Sequence, residues 1–148
     1  MNPVVSIIVP SYNKELFITD TLYSVINQTY PHWELLIIDD VSTDGTNDVV
    51  NTIKQTDSRI IFHLNDVNRG ANYSRNYGLK IAKGKFIIFL DADDVLEKTC
   101  LEQRLKHIEH TSLDFVVFTM QVFLKKIGDY ISIWKPNSNK PLNDFLKH

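Results

Sequence analysis

Trp33-Glu34-Leu35-Leu36-Ile37-Ile38-Asp39-Asp40 is followed by Val41-Ser42-Thr43-Asp44 and then by an amphipathic stretch reaching about Thr56. A short apolar run rich in branched residues suits a strand covered on both faces. Ser42, Thr43 and Asp44 offer side-chain oxygens of the kind that cap a helix start. Upstream, Val4-Val5-Ser6-Ile7-Ile8-Val9 reads as a second buried strand closed by Pro10. After Ser11-Tyr12-Asn13, Phe17, Ile18, Leu22, Val25 and Ile26 recur at helical spacing, which predicts a helix over about residues 15–28.

The same alternation continues downstream. Ile60-Ile61-Phe62-His63-Leu64 is a third strand, Ala71 to Ala82 a third helix with Gly84 as its stop, and Lys85-Phe86-Ile87-Ile88-Phe89-Leu90 the most apolar strand of the chain. Leu101, Leu105 and Ile108 predict a further helix, Leu113–Leu124 is strand-like, and Lys125–Trp134 reads as a hairpin return through Gly128. Strands alternating with helices predict an α/β fold, a mostly parallel sheet with helices on both faces. Ligands of such sheets bind beyond the carboxyl ends of the strands. That rule selects Pro10–Asn13, Asp39-Asp40, Asn65–Gly70 and Asp91–Asp94.

Composition narrows the field. The chain has 148 residues, 43% hydrophobic and 23% charged, with a net charge of −2, the size of one globular domain. Sixteen Lys and Arg against 18 Asp and Glu give no basic footprint for a nucleic acid. A single cysteine, Cys100, excludes an internal disulfide and a cysteine-based zinc site, and the expected compartment is the cytoplasm. No apolar run approaches the ~20 residues of a membrane span, so neither a signal peptide nor a transmembrane helix is expected. No G-x-G-x-x-G or P-loop pattern is present, so a bound nucleotide would not be held by a glycine-rich loop.

Asp91-Ala92-Asp93-Asp94 carries the sharpest chemical signal. Three carboxylates directly after an apolar strand repel one another unless cations or donors offset them, and such oxygens suit Mg²⁺ or Mn²⁺ shared with phosphates. The plainer alternative is a solvated turn capping the next helix. Asp39-Asp40 could reach the same crevice, or one of the pair could cap the following helix. Tyr12 could stack on a base or pack on the first helix, and Arg75 could meet a diphosphate, a crevice carboxylate or a surface partner. His107 and His110 have no third ligand spaced with them, and Cys100 reads as a small packing residue.

Taken in order, VSIIVPSYN, the IIDD strand end with VSTDGT, and NRGANYSRNYGLKIAKGKFIIFLDADD resemble the nucleotide-binding half of family 2 glycosyltransferases with the GT-A fold. The resemblance covers about Val4 to Asp94, and more weakly the helix to about Ile108. It implies that Pro10 and Tyr12 lie against base and ribose and that Asp40 contacts uracil when the donor is a UDP-sugar. Arg75 matches the family's arginine, with Ser74 where alanine is commoner. Asp91 and Asp93 match the D-x-D motif, Asp91 near the ribose and Asp93 on a bridging metal, with Asp94 able to exchange roles with Asp93. The implied cofactor is Mn²⁺ or Mg²⁺, and the implied partners are a nucleotide-sugar donor and a saccharide or lipid-linked acceptor, with inversion as the family's habit.

An inverting transferase also needs a general base. The late carboxylates Asp114, Asp129 and Asp144 stand in no family motif, so the expectation is that residues 1–148 form one GT-A-type donor-binding domain ending before the acceptor half. No catalytic base is identified in the chain, and the resemblance implies one beyond His148. A fragment of that kind is expected to bind nucleotide weakly and to transfer poorly or not at all. The implied setting is polysaccharide or glycolipid synthesis at the inner face of a membrane. Two alternatives remain: a haloacid dehalogenase-type phosphohydrolase using Asp91 as nucleophile and Asp93 as acid, and a binding module without turnover.

Overall fold

The computed structural model describes residues 2–108 and the segments 120–123 and 130–134. The chain forms two compact units, residues 1–106 and 107–148. The first holds a four-stranded sheet built from β1 (Val5–Ser11), β2 (Trp33–Asp39), β3 (Ile60–Leu64) and β4 (Phe86–Phe89), in the order β3-β2-β1-β4 and parallel throughout. Between the strands lie α1 (Ile18–Ile26), α2 (Thr46–Lys54) and α3 (Ala71–Ile81), and α4 (Cys100–Ile108) follows. In the second unit β5 (Met120–Phe123) and β6 (Tyr130–Trp134) pair antiparallel, as the hairpin reading requires. Residues 113–119, Gly128, His110, the late carboxylates Asp114, Asp129 and Asp144, and His148 lie outside the described residues.

Every residue of β1 and β2 is buried, which explains why both read as unbroken apolar runs. Ile8, Leu36 and Ile38 form one face with Tyr77 and Ile81 of α3 packed on it. Ile7, Val9, Leu35 and Ile37, which alternate with them, are equally closed to solvent. Chain order and strand order together place α1 and α2 opposite α3. The path β1-β2-β3 steps one way, α3 then carries the chain back past β2 and β1 to β4, and right-handed crossovers in opposite directions land on opposite faces.

Ser6 and Glu34, buried on neighbouring strands of this sheet, satisfy each other. Ser6 Oγ donates to Glu34 Oε1 at 2.6 Å, Glu34 Oε1 also accepts the Lys83 N–H at 2.7 Å, and the Gly84 N–H donates to Ser6 Oγ at 2.8 Å. The group ties the turn before β4 to the start of β1 and β2. Gly84 therefore differs from the expected helix stop. α3 ends at Ala82 in extended conformation, and Gly84 is needed because the turn passes against Ser6, where a Cβ would lie 2.5 Å from the backbone nitrogen.

Pro10 does not end β1. The strand runs on to Ser11, which pairs with Asp39. The Ile8 carbonyl accepts from Leu90 on the β4 side and the Ser11 carbonyl accepts from Asp40 on the β2 side, so by alternation Pro10 faces the β4 side. β4 pairing stops at Phe89 with Ile8, and the missing N–H of Pro10 falls where no strand needs it. The sheet parts there, between β1 and β4.

Gly84→Ala gains no helix propensity outside α3 and forces backbone against backbone. It is expected to cost about 1–3 kcal/mol, read as a lower urea midpoint with an unchanged denaturant slope.

Candidate functional site

The point where the strand order reverses is an open crevice of about 460 Å³, lined from the end of β1 by Pro10, Tyr12 and Lys14, from β2 by Asp40, from the head of α3 by Gly70, Ser74 and Arg75, and after β4 by Asp91 and Asp93. Pro10, Tyr12, Asp40, Arg75, Asp91 and Asp93, selected from sequence, thus come together in one place. Asp94 is not among the lining residues. Tyr12 is 48% exposed, so its ring is available to a ligand rather than packed away on α1.

The rims are bound together before any ligand is considered. Asn13 takes φ +51, its N–H donates to Ser42 Oγ, and its Oδ1 accepts the Thr43 N–H at 2.8 Å. The Lys14 N–H donates to Thr46 Oγ1, the Glu15 N–H to Asp44 Oδ2, and the Gly45 N–H to Glu15 Oε2. The N-cap of α2 is Gly45, not Ser42, Thr43 or Asp44 as expected, and Asp44, one residue before it, accepts the Thr46 N–H. These bonds join the loop after β1 to the loop after β2.

The aspartate pair divides its work. Asp39, fully buried, accepts both the Ser42 N–H (2.7 Å) and the Ser42 hydroxyl (2.6 Å), which holds Val41 at φ +66 between the two. A β-branched residue in the left-handed region is strained, and the surrounding bonds sustain it. Asp40, 3% exposed, accepts the Asn65 side-chain amide (2.8 Å), the Arg69 N–H (2.9 Å) and the Gly70 N–H (2.7 Å). Gly70 has φ +84, so the residue that starts α3 turns its N–H onto this carboxylate at no Cβ cost. Asn65 also donates to Ser74 Oγ at 3.1 Å, so Ser74 anchors the amide that anchors Asp40.

Burial alone would push the Asp40 carboxyl up. The Arg69 N–H, the Asn65 amide and the Gly70 N–H, with the Arg69 charge, outweigh it and hold the group below its ordinary value.

On the opposite wall Asp91 and Asp93 each meet a cation. Arg75 Nη2 lies 2.7 Å from Asp91 Oδ1, and Lys14 Nζ lies 2.6 Å from Asp93 Oδ2. The Asp94 carboxyl is pushed up by burial and then by the charges of Asp91 and Asp93, with Lys14 opposing. The segment after the cluster is clamped by Gln28, whose Nε2 donates to the Glu97 carbonyl and whose Oε1 accepts the Leu101 N–H. Cys100, its thiol pushed up by burial, is a packing residue as expected.

Among the described residues no three His, Cys, Asp or Glu side chains converge as a ready-made metal cage. Two exposed carboxylates nevertheless fit a hard divalent ion of the kind that takes one or two protein oxygens and completes its shell with water and phosphate. Lys14 and Ser74 line the crevice but were missed from sequence as members of the site, whereas Asn65 fell within a selected loop. Lys14 follows the strand-end loop by one residue, and its signal was the demand of a three-carboxylate cluster for positive charge.

The model of "Glycosyl transferase family 2" matches residues 6–148. The match thus runs to His148, further than the Val4–Ile108 stretch over which the sequence motifs carry the resemblance. The chain is 37% identical over 143 residues, 95% of its length and 56% of the relative's, to the E. coli protein named UDP-Glc:alpha-D-GlcNAc-diphosphoundecaprenol beta-1,3-glucosyltransferase WfgD. Among solved structures it resembles S. aureus TarS 1-349 in complex with UDP-GlcNAc (34% identity, TM-score 0.68, 74% of this chain and 31% of that one). It also resembles the mannosyltransferase PcManGT from Pyrobaculum calidifontis in complex with GDP-Man and Mn²⁺ (30% identity, TM-score 0.59, 64% and 29%). The chain spans about half the length of the curated relatives it matches. These matches set aside the phosphohydrolase alternative and bear out the α/β, GT-A architecture.

Asp40 carries the testable consequence of this geometry. Its folded value is depressed, so its stabilisation is fully present above the unfolded value of about 3.9 and is lost as pH falls through the folded value. Asp40→Asn, which leaves loop donors short of an acceptor, is expected to cost about 2 kcal/mol at pH 7. The fall in urea midpoint below pH 4 should also be shallower in the variant than in wild type; an equal fall would show that Asp40 does not contribute it.

Proposed function

This chain belongs to glycosyl transferase family 2, and from that premise we propose that its crevice is the donor site of a transferase using a nucleoside diphosphate sugar. The observation that carries the reading is the convergence of Tyr12, Asp40, Arg75, Asp91 and Asp93 on one crevice at the reversal of strand order. A ring, a carboxylate anchored at the head of a helix, a guanidinium and two carboxylates suit a ligand with an aromatic base at one end and a diphosphate at the other.

In this reading Pro10 and Tyr12 flank the base and ribose. Asp40 already accepts the Asn65 amide and the Arg69 and Gly70 N–H groups, with the Arg69 N–H shared between its two oxygens, so a base N–H would take up the acceptor position that this shared bond releases. A uracil N–H is the donor favoured, consistent with the UDP-GlcNAc complex of TarS. Arg75 offers its guanidinium to the diphosphate or the donor sugar while steadying Asp91. Asp93, with Asp91 and with Asp94 as a further candidate, would hold a divalent ion, Mn²⁺ or Mg²⁺; when bound, such an ion offsets charge on the departing nucleoside diphosphate.

Among the described residues the carboxylates lining the crevice are Asp40, Asp91 and Asp93, each already engaged. The base that deprotonates the acceptor hydroxyl in an inverting transfer is therefore assigned outside the described residues. The name of WfgD, with its diphosphoundecaprenol-linked acceptor, supports a saccharide or lipid-linked acceptor, and a place of action at the inner face of a membrane is part of the same proposal. No helix among the described residues is long and apolar enough to cross one.

Calorimetric titration tests the reading. UDP is expected to bind in the presence of Mn²⁺ and to bind at least about tenfold more weakly, a difference of ~1.4 kcal/mol, without the metal, in Asp93→Ala, or when GDP replaces it. Equal binding with and without metal, and in Asp93→Ala, would sink the assignment of the metal to Asp93.

A further inference from the structure

Lys14 is held in place by its backbone, not by its tip. Its N–H donates to Thr46 Oγ1 at 2.8 Å, and its carbonyl accepts the N–H groups of Phe17 and Ile18 at 2.9 Å, so the residue joins the start of α1 to the start of α2. The side chain, one third exposed, then crosses the crevice mouth to put Nζ 2.6 Å from Asp93 Oδ2. Exposed ion pairs contribute little to stability, and neither the loop nor α1 depends on this one.

The contact has a consequence for anything else that needs Asp93. A divalent ion on that carboxylate and an ammonium on the same carboxylate would be close neighbours of like charge, so one excludes the other unless the ammonium has another anion to go to. A lysine stem is long and flexible, and its ammonium binds phosphate oxygens as a point charge.

We propose that Lys14 is a placeholder cation: it holds Asp93 while no donor is bound and transfers to a phosphate oxygen of the nucleoside diphosphate on binding, so that metal and nucleotide enter the crevice together. This rests on the donor-site reading above. Lys14 in this role opposes binding of the metal alone and favours binding of the diphosphate. Its removal shifts the two affinities in opposite directions.

The experiment is calorimetry on the full 148-residue chain with Mn²⁺ alone, with UDP at saturating Mn²⁺, and with uridine, for wild type, Lys14→Met and Lys14→Arg. Lys14→Met is expected to bind Mn²⁺ alone about threefold to fivefold more tightly, the range a partly exposed ion pair supports. It should bind UDP roughly tenfold more weakly, the scale of a lost hydrogen bond to a charged group, and uridine as wild type does. Lys14→Arg, which keeps the charge, should retain UDP affinity within about threefold. Unchanged or weaker Mn²⁺ binding by Lys14→Met overturns the proposal, as does a loss of uridine affinity equal to the loss for UDP. UDP binding by wild type that persists undiminished in Lys14→Met overturns the Lys14 assignment alone. A wild type that binds no UDP overturns the donor reading and this assignment together.

Discussion

Closing both faces of β1 and β2 to water is the constraint from which the other features follow. An unpaired polar side chain in a strand buried on both sides is costly, and Ser6 and Glu34 are spent on each other and on the Lys83–Gly84 turn. The chemically useful groups are therefore pushed to the strand ends. Because β4 adds on the far side of β1, the ends of β1 and β4 diverge, and the side chains collected there face a gap. Pro10 fits this geometry, since the side on which it lacks a donor is the side where the sheet has already parted.

The crevice is organised by charge in two walls of different character. One is a buried carboxylate, Asp40, whose bonds to Asn65, Arg69 and Gly70 fix the loop that opens α3. It is rigid because its donors are mostly backbone. The other is a pair of exposed carboxylates, Asp91 and Asp93, each matched with a long flexible cation. That wall can rearrange, because breaking a pair a third to a half exposed to water costs little. A nucleotide suits such a division: a fixed wall for the part to be recognised and a mobile one for the part that carries charge and leaves.

Much of this was legible in the chain because it is written locally. The βα alternation, the branched strands and the strand-end acidic motifs each occupy a few consecutive residues, and the β3 and α3 bounds matched the expectation within a residue. Where expectation and structure differ, the cause is a neighbour distant in sequence. Gly84 looked like a helix stop, yet answers to the Ser6 backbone 78 positions away. Pro10 looked like a strand end, yet stays paired because its free side faces no partner. Ser74 looked like a departure from the family's alanine, yet its hydroxyl receives the Asn65 amide.

By itself the sequence determined the element order, the parallel sheet and the set of loops in which a ligand must sit, because periodicity and strand-end rules act over short stretches. Only the tertiary structure decided which donors fill Asp39, which cations answer Asp91 and Asp93, and which amides fill Asp40. The partners of Asp40, Asp91 and Asp93 lie between 16 and 79 residues from them along the chain. Coulomb and hydrogen-bond energies depend on distance in space, and the spacing of residues along a chain carries that distance only once the sheet has closed.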